Sequence, residues 1–93
     1  MYGTVAKMDV LPGKRDELTA VAQAQMADPV GGYVSSYVLH ENDSDTLCLM
    51  AIFEDKATYT ANADDPAQHE RYMAIRALLA SDPEWHDGEI REG

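Results

Sequence analysis

Two polar side chains near the middle of the chain have the types and spacing of residues that line a binding pocket. Tyr59 and Asn62 lie three residues apart, just after an alternating apolar run that ends at a charged corner. On a helix this spacing places both on one face, and polar groups on a helix that covers a sheet tend to line a pocket. Asn62 also has a structural interpretation, because asparagine tolerates left-handed geometry and can cap a helix C-terminus. We therefore keep a pocket role and a capping or surface role open.

Three further tyrosines are candidates for contact with a small molecule. Tyr72 shares a predicted helical face with Ile75 and Leu79, so its ring is expected to be buried. Its hydroxyl then meets either a ligand or a neighbouring backbone group. Tyr33 and Tyr37 occur in a strand pattern and fit either a pocket or a dimer interface, where aromatic side chains are enriched.

The segment near the C-terminus contains the residue type best suited to general base catalysis. The pKa of histidine ordinarily lies near neutrality, which makes His86 the candidate base. Asp87 is poorly placed to orient it, because adjacent strand residues point to opposite faces. Trp85 fits a structural role better than a catalytic one. His40 adjoins an acidic loop and His69 falls on the polar side of a helix, so we expect both imidazoles to be solvated.

Neither a disulfide nor a metal site is expected. Cys48 is the single cysteine of the sequence, so an internal disulfide is excluded. Its place in the middle of a predicted strand favours packing over reactivity. Glu84, His86 and Glu89 are the nearest approach to a metal-binding set, but they lack a recognisable ligand spacing.

The composition limits the class of protein. Ninety-three residues are expected to form one domain spanning 1–93, of a size that often needs a partner. The formal charge of −10 repels phosphate backbones and anionic lipid, so neither nucleic acid nor a membrane surface is expected as a partner. No stretch approaches the roughly 20 apolar residues of a transmembrane helix. No secretory signal is visible at the N-terminus, and a cytoplasmic location is therefore expected.

The apolar periodicity predicts the order strand, helix, strand, strand, broken helix, strand. The predicted ranges are Tyr2–Val10, Lys14–Ala27, Tyr33–His40, Thr46–Phe53, Ala57–Ala63 with Pro66 to about Ala80, and Glu84–Ile90 as a short final strand or an extended arm. The first helix is expected to end within Asp28 to Gly32, while Asp55 and Asp65 are predicted N-caps. This order is the βαββαβ plan of a ferredoxin-like α+β sandwich, in which both helices lie on one face of an antiparallel sheet.

Both faces of the predicted sheet are apolar. In the third strand, Leu47, Leu49, Ala51 and Phe53 alternate with Cys48, Met50 and Ile52. In the second strand, simple alternation places Tyr33, Tyr37 and Leu39 on one face and Val34, Ser36 and Val38 on the other. Because the helices can cover one face only, we expect a second copy to cover the other in a homodimer.

Four segments carry a resemblance to a known family. They are Pro12-Gly13-Lys14, Gly31-Gly32-Tyr33-Val34, Phe53-Glu54-Asp55-Lys56 with Tyr59 and Asn62, and Pro83-Glu84-Trp85-His86-Asp87-Gly88-Glu89-Ile90. Together they resemble small proteins of the antibiotic biosynthesis monooxygenase family over nearly the whole chain. The resemblance implies a dimeric α/β barrel that oxidises a phenol or hydroquinone with O₂, without metal or flavin. In such chemistry the deprotonated substrate supplies the electrons, while the protein positions it, stabilises the anion and excludes water.

The resemblance also implies a set of site residues. The expected catalytic residues are Asn62, Tyr72 and His86, and the expected contacts to a small aromatic substrate are Tyr37, Tyr59 and Trp85. The haem-degrading branch of the family uses an Asn on the first strand and a Trp and a His on the second helix. The corresponding positions here hold Ala6, Asn62 and Tyr72, so haem degradation by that route is not expected.

Two other functions stay open at this point. One is a non-catalytic dimeric binding or accessory protein whose cavity is filled by its own side chains. The other is a cofactor-free isomerase or decarboxylase, which needs a base in the pocket.

Overall fold

The chain forms four strands and three helices in a computed structural model that describes residues 1–27 and 31–93. The elements are β1 (Tyr2–Asp9), α1 (Arg15–Met26), β2 (Tyr33–His40), β3 (Thr46–Phe53), α2 (Lys56–Ala63), α3 (Pro66–Arg76) and β4 (Glu84–Glu89). The predicted order and the ferredoxin-like α+β fold are confirmed, with the broken helix resolved into α2 and α3. The expected end of the first helix falls largely on residues 28–30, which lie outside the described residues.

The end of α3 differs from the prediction for a structural reason. The helix stops at Arg76 rather than near Ala80, because the chain turns at Ala77 and Leu78 and then pairs with the end of β1. Val10 and Leu79 form an antiparallel bridge, and the backbone N–H of Ala80 donates to the carbonyl oxygen of Asp9 at 2.8 Å. The pairing of these residues gives the backbone groups after the helix their hydrogen bonds.

The four strands form one antiparallel sheet in the order β2-β3-β1-β4. Strand β1 lies in the interior of the sheet and pairs with β3 from Tyr2↔Phe53 to Asp9↔Thr46. The helices pack on one face, where they enclose a core of Ala6, Met8, Val10, Leu18, Leu47, Leu49, Ile75 and Leu79. We call this helix-covered face of the sheet the inner face and the opposite one the outer face.

A β-bulge changes the side-chain alternation at the start of β2. The register shifts between Tyr33 and Ser35, so Tyr33 pairs with Phe53 on the inner face. Ser35 and the residues after it then follow the ordinary alternation, and Tyr37 falls on the outer face. The prediction that Tyr33 and Tyr37 share a face is therefore wrong, because the bulge inserts one extra residue between them.

The break between α2 and α3 is fixed by the two predicted N-caps. The Asp55 carboxylate accepts a hydrogen bond from the Thr58 backbone N–H at 2.8 Å, and this bond lowers the pKa of Asp55 below its ordinary value. The Thr58 side chain completes a capping box. Asp65 accepts from the Ala67 N–H at 2.9 Å, with Pro66 as the first helical residue. Both predicted caps are confirmed, and the short link they define holds the end of α2 against the start of α3.

The outer face carries exposed apolar side chains. Tyr37, Leu39 and Met50 are all exposed there, and Leu39 retains 60% of its accessible surface. No helix in the described part of the chain is long and apolar enough to cross a membrane. The same residues contain no group of three or more His, Cys, Asp or Glu side chains able to hold a metal ion.

Candidate functional site

A cavity of about 370 Å³ lies between the helices and the inner face of the sheet. Its walls are largely apolar and come from both layers. They include Met8, Ala22, Met26, Leu49, Phe53 and Ile75. The volume falls at the lower end of the range of about 300–1,000 Å³ that is typical of small-molecule sites.

One wall of the cavity is polar and spans the break between α2 and α3. The Gln68 Oε1 atom accepts a hydrogen bond from Asn62 Nδ2 at 3.4 Å and another from Arg71 Nη1 at 3.2 Å. A third contact anchors this wall to α1, because Gln25 Nε2 donates to the Arg71 carbonyl oxygen at 3.0 Å. We call Asn62, Gln68 and Arg71 the polar corner. Their side chains are all partly buried and converge on a single oxygen atom.

Asn62 in this corner has an unsatisfied acceptor. Its Oδ1 atom is buried and has no hydrogen-bond partner among the described residues. Leaving such a group unpaired costs about 1–3 kcal/mol, and buried polar groups without a partner are rare in native proteins. A ligand hydroxyl that reached this oxygen, after a small rotation of the amide, would supply the missing donor.

Two aromatic rings form another part of the cavity wall. Tyr72 on α3 and Trp85 on β4 lie with ring centroids 6.1 Å apart and planes inclined by 50°. Trp85 pairs with Ala6, which places its side chain on the inner face, and it remains 45% exposed. Such rings offer a flat apolar surface with a polar edge. They are therefore suited to hold an aromatic ligand at the mouth of the cavity.

Tyr59 links α2 to β4 at one side of the cavity. Its hydroxyl donates to Asp87 Oδ1 at 2.9 Å, and its ring packs edge-on against Phe53 and Tyr2. Burial raises the pKa of Tyr59 to about 12, and the hydrogen bond and negative charge of Asp87 add to this effect. Tyr59 therefore stays protonated through the neutral range and acts as a hydrogen-bond donor, not as a base.

Four of the six residues expected at the site line this cavity, namely Asn62, Tyr59, Tyr72 and Trp85. The described residues around it do not include the other two, Tyr37 and His86. Tyr37 pairs with Met50 and borders an open groove beside α1. His86 pairs with Val5 on the outer face, and its Nε2 atom lies 3.1 Å from Glu84 Oε1. The alternation that directs Trp85 inward directs His86 outward, so His86 does not face a ligand bound in the cavity of the same chain.

Five polar residues of the cavity were not predicted from the sequence to line it, namely Thr4, Gln25, Gln68, His69 and Arg71. Gln68 fits the pattern of a capping partner for Asp65, but its side chain turns inward instead. His69 is exposed, as expected, yet it also borders the cavity, and Arg71 received no role. The signal for Gln68 was its spacing, because it lies one helical turn before Tyr72 on the same face.

The comparisons with known proteins agree on the fold. No protein-family model and no curated protein matches the chain. Among solved structures, an asparagine-to-alanine mutant of SnoaB, a cofactor-independent oxygenase from Streptomyces nogalater, is 21% identical with a TM-score of 0.83, over 99% of this chain and 94% of that one. A "putative antibiotic biosynthesis monooxygenase" from Chloroflexus aurantiacus J-10-fl is 26% identical with a TM-score of 0.77, over 99% and 94%. Rv0793 from Mycobacterium tuberculosis is 15% identical with a TM-score of 0.78, over 99% and 96%.

The described residues form a small α+β protein of the ferredoxin-like class with a largely apolar cavity between its helices and its sheet. Its likeness to these proteins extends over almost the whole length of both chains. The resemblance to the antibiotic biosynthesis monooxygenase family is thereby confirmed in three dimensions.

Proposed function

We propose that this protein is a cofactor-independent monooxygenase that oxidises a small phenol or hydroquinone with O₂. The observation that carries the proposal is the apolar cavity of about 370 Å³ whose polar corner contains the unsatisfied Asn62 Oδ1 atom. The similarity of the fold to that of SnoaB, a cofactor-independent oxygenase, supports the same reaction class. Because a fold alone does not confer function, the proposal depends on the cavity and its side chains.

The proposed chemistry needs no external reductant. A phenol and O₂ give a quinone and water, so one oxygen atom enters the ring and the other leaves as water. Asn62 is assigned the substrate oxygen: its unsatisfied Oδ1 atom accepts a hydrogen bond from the hydroxyl before deprotonation, and the amide N–H that does not bond Gln68 donates to the oxygen once the proton has left. Tyr72 and Trp85 are assigned to pack against the aromatic ring of the substrate. His69, at the edge of the cavity, is assigned to accept the phenolic proton.

Oxygen consumption tests the proposal directly. Purified protein is incubated with a panel of mono- and bicyclic phenols and hydroquinones, and O₂ uptake is measured against the rate without protein. We expect at least one bicyclic hydroquinone to be consumed faster with protein than without it, in the presence of a chelator and with no added flavin. If none of the panel binds or consumes O₂ above the uncatalysed rate, the monooxygenase proposal is rejected.

The structure bears on both alternative functions. An accessory protein with an interior filled by its own side chains is not favoured, because the cavity is open. An isomerase or decarboxylase that uses His86 as its base is not favoured either, because His86 lies on the outer face. The cavity is equally compatible with a protein that binds a small molecule without converting it. Binding of a panel compound without O₂ uptake would favour this alternative.

We propose that the protein forms a homodimer through the outer face. Leu39 and Met50 are exposed there beside Tyr37, on a sheet whose other face is already covered by helices. A patch of this kind on a small domain is typical of an interface. A second copy with the same patch would cover it by two-fold symmetry.

Substitution of Leu39 by aspartate is expected to convert the dimer to a monomer. The change places two carboxylates in a desolvated interface, one from each copy, and burying unpaired charges is strongly unfavourable. The matched control is Met73→Asp on α3, which also replaces an exposed apolar side chain, at 50% exposure against 60% for Leu39. Multi-angle light scattering should give twice the monomer mass for the wild type and for Met73→Asp, and the monomer mass for Leu39→Asp. A wild-type protein that is monomeric at micromolar concentration would refute the homodimer.

A further inference from the structure

The charge of the cavity is opposite in sign to that of the whole protein. The chain has 17 acidic and seven basic Lys and Arg residues, yet no Asp or Glu occurs among the described residues that line the cavity. The lining does include Arg71 and His69. A net charge of −10 repels anions at a distance. An anionic ligand can therefore bind only where the local lining contains no carboxylates.

Arg71 is available for such a ligand. Its Nη1 atom bonds the neutral side chain of Gln68 at 3.2 Å, and it forms no ion pair with any carboxylate of residues 1–27 or 31–93. Arg76 on the same helix differs, because its Nε atom lies 2.9 Å from Asp82 Oδ1. A guanidinium group has five N–H donors and binds carboxylates in a two-pronged geometry. A partly buried guanidinium with no counterion among the described residues therefore favours a bound carboxylate.

Arg71 and Asn62 lie close together at the polar corner. Asn62 Nδ2 and Arg71 Nη1 both reach the same Gln68 oxygen, at 3.4 and 3.2 Å. Two groups that lie close together on one ligand can therefore reach both side chains. A hydroxyl and a carboxylate on adjacent carbon atoms of an aromatic ring meet this requirement.

We infer that the cavity takes an aromatic substrate with a carboxylate next to its hydroxyl, with Asn62 at the hydroxyl and Arg71 at the carboxylate. Gln68 is a positioning residue that holds both side chains from one oxygen atom. The inference rests on the proposed function for the reaction that follows binding. The binding preference itself can be measured without any turnover.

Calorimetric titration of a matched pair of ligands tests the inference. The probes are 1-hydroxy-2-naphthoate and its methyl ester, which differ in the charge of the group beside the hydroxyl. We expect wild-type protein to bind the acid about tenfold or more tightly than the ester. A difference of this size is what one charge-assisted hydrogen bond, here between the carboxylate and Arg71, contributes to affinity. Quenching of the fluorescence of Trp85, which lines the cavity and is the one tryptophan of the chain, places the ligand in this cavity.

Variants of Arg71 locate the effect. Arg71→Gln is expected to weaken binding of the acid about tenfold and to change binding of the ester less than about twofold. Arg71→Lys is expected to retain part of the affinity for the acid, because lysine keeps the positive charge but lacks the two-pronged donor geometry of a guanidinium group. Arg76→Gln is the matched control, since it removes one positive charge from the same helix outside the cavity. Circular dichroism checks each fold, and Arg71→Met replaces Arg71→Gln if the latter unfolds.

The possible outcomes separate this inference from the proposed function. Equal affinity of wild type for acid and ester, no binding of either, or equal weakening of both by Arg71→Gln would each overturn the carboxylate site. Selective acid binding that depends on Arg71, without O₂ uptake by any hydroquinone, would retain the site and reject the monooxygenase. Oxidation of neutral hydroquinones, combined with equal affinity for the acid and the ester, would retain the monooxygenase and reject the carboxylate site.

Discussion

Replacing Asn62 by alanine is expected to lower kcat for oxidation of a hydroquinone about a hundredfold. Removing one preorganised donor to an oxyanion typically costs about 10²–10³ in kcat, and the Asn62 amide is held in place by Gln68 at 3.4 Å. Because the negative charge on the substrate oxygen increases as the proton leaves, the donor matters more in the transition state than on binding. We therefore expect KM to change much less than kcat in steady-state measurements of O₂ uptake.

The control for this prediction is Asn42→Ala. Asn42 lies on the exposed hairpin loop between β2 and β3, so the same change of residue type there should leave kcat unaltered. Asn62→Ala is also expected to fold normally, because it removes a buried oxygen that has no partner among the described residues. Equal kcat values for wild type and a folded Asn62→Ala protein would exclude Asn62 from the chemistry.

Local sequence determined those parts of the fold that were predicted correctly. Strands β2 and β3 have the predicted bounds, because their apolar residues alternate and polar loops flank them. Asp55 and Asp65 cap their helices as predicted, because each is followed by the first free amides of a helix and a proline marks the second start. These features depend on residues a few positions apart, and such relations can be seen in a single sequence.

The candidate site was predicted less completely because it depends on contacts between elements. Asn62 and Gln68 meet across the turn that joins α2 and α3, and the geometry of that turn is not encoded in a helical period. Tyr33 reaches the inner face through a bulge that strict alternation does not contain. His86 could have been placed correctly, since alternation in β4 separates it from Trp85 as firmly as from Asp87.

Gly3 in β1 gives the largest expected effect on stability. A Cβ atom at this position would overlap the backbone carbonyl oxygen of Ala51 and come within 3.0 Å of Ile90 Cδ1. The obstructing carbonyl belongs to β3, which pairs with β1 over its full length, so it cannot move aside as a flexible side chain can. Gly3→Ala is therefore expected to lower the free energy of unfolding by about 3 kcal/mol or more, at the upper end of the cost of overpacking.

The effect should extend to the site, because Tyr2 and Thr4 flank Gly3. Tyr2 packs against Tyr59, and Thr4 lines the cavity. A displacement of β1 away from β3 would move both residues, so we expect weaker ligand binding even in conditions where Gly3→Ala remains folded. Titration with the 1-hydroxy-2-naphthoate probe, followed by calorimetry, measures this loss.

Gly88→Ala is the control for Gly3→Ala. Gly88 pairs directly with Gly3 in the neighbouring strand, and a Cβ atom added to it meets nothing within 4 Å among the described residues. Because both glycines lie on the outer face, an effect on dimer formation would appear in both variants, whereas the clash with Ala51 would appear in Gly3→Ala alone. Urea denaturation at one protein concentration should give a large loss for Gly3→Ala, and for Gly88→Ala no loss or a gain of about 0.4–1 kcal/mol from the reduced entropy of the unfolded chain. Equal midpoints for Gly3→Ala and wild type would show that β1 and β3 can separate enough to admit a methyl group.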